Sequence, residues 1–137
     1  MEKEARLFST KNQLYPCELY VLIGPSSKCQ EYAINNLKDN NGDCLRISND
    51  DVSDSYALTY PGICFNDDVS WKGPMIMLNP DDNTECYIVH ECVHAAGNIF
   101  DYIGEPITSG EPFAYLVQWV YNCVKGAIKQ YKDDEHS

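Results

Sequence analysis

The chain is short of positive charge. Ten Lys and Arg stand against 21 Asp and Glu, for a formal net charge of −11. That balance opposes binding to a phosphate backbone or to an anionic membrane surface, both of which attract cations. It suits a basic partner or substrate, or solubility alone. Long apolar runs are missing too, and none approaches the ~20 residues of a membrane span. The first residues, Met1-Glu2-Lys3-Glu4-Ala5-Arg6, are charged and lack the apolar stretch of a signal peptide. The expected setting is therefore the cytoplasm, with no nucleic-acid and no membrane partner. Paired cysteine motifs are also lacking. The seven cysteines (Cys17, Cys29, Cys44, Cys64, Cys86, Cys92 and Cys123) are odd in number, and no two form C-x-x-C. Free thiols packed as small core hydrophobes are the expectation. No repeat, low-complexity tract or linker is evident in the 137 residues, a length that suits one domain with a real core.

Histidine is scarce, with three in all, yet two fall in one run, His90-Glu91-Cys92-Val93-His94. On an α-helix, residues four apart share a face. His90 and His94 can then aim two imidazoles at one point, as a tetrahedral Zn²⁺ requires. Glu91 projects to the side, where a carboxylate can take a proton from a water without ligating the ion. Around the motif stand Ile88, Val89, Cys92, Val93, Ala95, Ala96, Ile99 and Phe100. They cover most of the helix circumference, so a buried helix is expected, with buried polar groups in need of partners. A plain pair of hydrogen-bonded core histidines is the alternative. The third histidine, His136, is a tail residue and is left out of the site.

The remaining pattern places the motif. Glu18–Ile23 reads as a strand ended by Gly24-Pro25, and Ser26 or Ser27 can cap a helix through Tyr32, Ile34 and Leu37. Asn40-Asn41-Gly42 makes a turn, and short strands are expected near 44–47 and 56–60. Gly73-Pro74 opens a stronger strand, Met75–Leu78. Asn79-Pro80-Asp81-Asp82 then starts the motif helix, which should run from about Asp82 to Ile103 and stop at Gly104. A second helix begins near Glu111-Pro112 and carries Phe113, Leu116, Val117, Val120, Val124 and Ile128 at helical spacing. The division expected is a strand–helix part over 1–72, the strand and two helices over 73–131, and an acidic tail over 132–137.

Two histidines hold zinc poorly, and a third protein ligand is usual. Asp101, Glu105 and Glu111 follow the motif, and Cys86 precedes His90 by four residues. Glu111 is the best candidate, because a tight return would set the head of the second helix beside the first. Its other reading is an N-terminal carboxylate on the helix dipole.

His90-Glu91-Cys92-Val93-His94-Ala95-Ala96, then Gly104, then Glu111-Pro112-Phe113-Ala114-Tyr115-Leu116, resembles the gluzincin branch of the zincin metallopeptidases. It is closer still to small zincin-like proteins encoded by bacteriophages, over roughly residues 75–125. The resemblance implies an α+β fold, with a small mixed sheet whose edge strand precedes the active helix and with helices behind it. It also implies His90, His94 and Glu111 as zinc ligands and Glu91 as base. Gluzincins often place an aspartate four residues after the ligand glutamate; here that position is Tyr115, which leaves Asp101 as a candidate to orient a histidine. Gly97 matches the longer metzincin pattern, but the final histidine of that pattern is Phe100 here, and the metzincin assignment is rejected.

The resulting expectation is a zinc-dependent hydrolase, a peptidase acting on a peptide or protein. The substrate would lie extended along Met75–Leu78, and Tyr115 or Tyr102 would donate to the developing oxyanion. The rival is an acidic phage-encoded protein that keeps zinc as a structural staple and docks on a host protein.

Overall fold

The computed structural model describes residues 4–39, 41–45, 57–66, 68–80, 85–106 and 110–135, the side chains of Val69 and Glu135 excepted. The expected strand near 44–47 lies beyond Leu45 outside these residues, as do Asp50, Asp51, Tyr56, Asp67, Asp81, Asp82 and His136.

The fold is α+β. The described elements are β1 (Arg6–Lys11), β2 (Glu18–Ile23), α1 (Ser26–Asn36), β3 (Leu37–Asp39), β4 (Leu58–Phe65), β5 (Asp68–Leu78), α2 (Glu85–Ile103) and α3 (Glu111–Glu135). The five strands form one sheet in the order β1-β2-β5-β4-β3. Only β2 and β5 run parallel; the other pairs are antiparallel.

Alternation along β2 and β5 builds two cores. Leu19, Val21, Ile23, Ile76 and Leu78 face α2 and α3, while Tyr20, Leu22, Met75 and Met77 face α1 through Cys29 and Ala33. This is the period-2 consequence of a pleated backbone, and it buries both faces of the central strands. At Gly73 the two strands come so close that a Cβ would stand 1.7 Å from the carbonyl oxygen of Glu18. Only glycine allows that approach.

Two expectations are corrected here. Met75–Leu78 is not at the sheet edge: it belongs to β5, third of the five strands, flanked by β2 and β4. No substrate strand can be added there, because both sides already carry ladder hydrogen bonds. Neither serine caps α1: Pro25 is the N-cap residue, without a side-chain cap bond, and its carbonyl accepts from the amides of Lys28 and Cys29 at 3.0 and 2.9 Å. The boundary drawn at residue 72 inside the single domain falls within β5, and both parts contribute strands to one sheet.

The helix ends follow the sequence closely. Gly104, at φ 80°, ends α2; its amide reaches the Asp101 carbonyl at 3.3 Å and that of Glu105 reaches Phe100 at 2.9 Å. This pair of bonds satisfies carbonyls that the helix leaves open. Three contacts align α2 with α3. Glu85 accepts from the Tyr121 hydroxyl and from Lys125 Nζ at 3.0 Å, and at the other end the rings of Phe100 and Phe113 meet edge-on at 5.4 Å. The helices therefore run antiparallel. No helix among the described residues is long and apolar enough to cross a membrane.

Candidate metal centre

The inward stripe of α2 is Ile88, Glu91, Cys92, Ala95, Ala96, Ile99 and Phe100. Residues at this spacing share one face of the helix. His90 and His94 lie on the opposite face and are exposed. The expectation of a helix buried nearly all round is thus corrected: Val89 and Val93 are exposed as well. The count of apolar residues on the circumference overstated burial, since valine is tolerated at the surface.

The two imidazoles converge. Their Nε2 atoms stand 3.0 Å apart, with the rings edge-on at 4.6 Å. Two nitrogens each ~2.0–2.1 Å from one tetrahedral ion would stand roughly 3.3–3.4 Å apart. The observed spacing is within a few tenths of an ångström of that, and both residues are exposed. Glu91 is the one buried charged side chain among the described residues. Its Oε1 accepts from the Thr59 hydroxyl at 2.9 Å, and its Oε2 lies 4.0 Å from His90 Nε2. His90, Glu91 and His94 form a group that could hold a metal ion, with the ligand atoms all within 4.8 Å of one another.

Thr59 carries no local sequence signal for this role. It lies 32 residues before Glu91 and reaches it because β4 runs beside α2. Opposite Thr59 in the ladder is Ile76, whose side chain belongs to the core under α2 and α3. Cross-strand partners share a face, so Thr59 points at the helix as well.

Comparison with protein-family models, with curated proteins and with solved structures finds no match. The site is therefore read from its own geometry.

The other expected residues are placed as follows. Glu111 is the first residue of α3, exposed, and outside the histidine group. Antiparallel pairing explains this. Phe113 sits against Phe100, six residues beyond His94, so Glu111 lies past a point about 9 Å along the helix from the site at 1.5 Å per residue. Tyr115 is exposed and lines a cavity of about 580 Å³ with Leu14, Tyr15, Pro112, Leu116 and Trp119, a cavity that the histidines do not line. Tyr102 stacks on Trp71 at 3.8 Å. With Asp101 and Asn98 it lines a smaller cavity of about 200 Å³. Asp101 holds neither imidazole: among the described residues, the histidines hydrogen-bond only to each other, with the Glu91 carboxylate at 4.0 Å from His90. Cys86 is exposed and outside the group. Cys92 is a core thiol, pushed up to about 12 by burial and then by the nearby Glu91 charge.

The placement of Glu111 makes a prediction. Glu111→Ala removes a carboxylate from the positive end of α3, which costs about 0.3–1 kcal/mol. The melting temperatures of the zinc-loaded and zinc-free proteins should fall together, with zinc affinity unchanged within tenfold. A loss of stability confined to the zinc-loaded form would instead make Glu111 a ligand.

Proposed function

We propose that the His90–His94 pair binds Zn²⁺ and that the protein is a zinc-dependent hydrolase acting on peptide bonds, with Glu91 as general base. The observation that supports this best is the separation of roles within the motif. Two Nε2 atoms meet at 3.0 Å, while the Glu91 carboxylate stays back at 4.0 Å from His90 Nε2. Ligands of one tetrahedral zinc would be closer, roughly 3.3–3.4 Å apart. The wider spacing suits a carboxylate that touches a water beside the ion. Zinc, when bound, would lower the pKa of such a water toward ~7. Glu91 then takes the proton through Oε2 and hands it to the leaving amine, while Thr59 holds Oε1. Paired imidazoles favour zinc over calcium or magnesium, which prefer oxygen ligands.

The substrate's place moves from Met75–Leu78 to the beginning of β4. The short strand β3 pairs only with Ile63–Phe65. Thr59 lies outside that register and beside Glu91, and among the described residues no other strand pairs with that side of β4 there, so an extended peptide can align with it. The reading as a structural staple is less well supported. A staple ties separate elements together, and both imidazoles here come from one exposed helix face.

Incubation with a mixed-sequence peptide library tests the proposal. Zinc-loaded protein should cleave peptides, a chelator should stop the cleavage, and added zinc should restore it. Cleavage that survives removal of the metal, or none with zinc bound, would refute the assignment.

A further inference from the structure

Glu91 is almost fully enclosed, and among the described residues its side chain has one hydrogen-bond donor, Thr59. The threonine hydroxyl has a single proton to give. It is shared between Glu91 Oε1 at 2.9 Å and the Glu91 backbone carbonyl at 3.2 Å. Both acceptors belong to the same residue, so the bond fixes the carboxylate relative to its own helix as well as to β4. With Oε1 held, Oε2 is the oxygen turned toward the histidines, 4.0 Å from His90 Nε2. A buried carboxylate without a donor would be costly and would turn toward solvent or toward an imidazole N–H.

We infer that Thr59 is a positioning residue of the metal centre: its hydroxyl sets the rotamer of Glu91 so that Oε2 faces the space in front of the histidine pair. The inference rests on the metal-binding reading above, and it gives the strand beside the helix a part in the site. A carboxylate that swings freely would also be free to ligate the ion and close a position that a water must keep. Thr59 thereby separates the base from the ligands.

The test is the visible spectrum of the Co²⁺-loaded protein, which responds to the groups around the ion without any need for a substrate. Wild type and Thr59→Ser should share one band. Thr59→Val should depart from it, and adding Glu91→Gln to that variant should give the band of Glu91→Gln alone, with cobalt affinity within tenfold of wild type. Thr59→Ala, which removes the hydroxyl without adding a methyl group in its place, supplies the same comparison should the valine variant fail to fold. A wild-type band in Thr59→Val or Thr59→Ala would overturn the inference and leave the metal site standing. So would a Thr59→Ser band that matches the valine variant, because packing rather than the hydroxyl would then be at work. A wild-type protein with no cobalt band dependent on His94 would overturn the metal reading itself, and the inference with it.

Discussion

His94→Ala is expected to abolish zinc binding while leaving the fold intact. The ring is exposed and its one hydrogen-bond partner among the described residues is His90, so its loss should change stability by no more than about 0.5 kcal/mol. Its effect on the metal is of another order. Removing a partner that merely orients a ligand costs about 10–100-fold in affinity, and removing one of two imidazole ligands should cost more than a hundredfold. Zinc titration of the two proteins, with circular dichroism to confirm folding, measures this. Equal zinc affinities would show that the histidine pair is not the site. His90→Ala should behave in the same way, since the two Nε2 atoms are equivalent partners in the 3.0 Å approach.

Glu91→Gln is expected to separate chemistry from binding. The amide oxygen can still accept from Thr59, so the buried side chain keeps its donor. It cannot take a proton from water at neutral pH. Turnover should fall by about 10²–10⁴, the usual contribution of general acid–base catalysis, with zinc affinity within tenfold of wild type. Undiminished turnover would remove Glu91 from the mechanism. A loss of zinc that equals that of His94→Ala would make Glu91 a ligand instead of a base.

Much of the fold was legible because its signals are local. The strand Glu18–Ile23, the helix beginning after Gly24-Pro25, the stop at Gly104 and the helix from Glu111 are all found where alternation, glycine or helical spacing placed them. The strands that were missed or misjudged lack such signals. β1 is an edge strand with no buried residue, so its apolar pattern is faint. β4 contains Pro61 and Gly62, and its register with β5 shifts between Tyr60 and Ile63, which breaks the alternation. The central position of β5 depends on strand order, which arises from pairings distant in sequence and leaves no mark in a window of ten residues. The site divides along the same line. His90, Glu91 and His94 are set by one helical turn and could be read directly. Thr59 comes from a strand 32 residues away and could not. Glu111 was placed at the head of its helix correctly, but the register of α2 against α3 puts that head beyond the Phe100 end.

Anomalous diffraction at the zinc edge, from crystals grown with zinc, tests the central claim most directly. The account predicts one strong peak between the Nε2 atoms of His90 and His94, about 2.0–2.1 Å from each, with Glu91 outside the coordination sphere. A peak at another position, or none beside the histidines in crystals that hold zinc elsewhere, would contradict it.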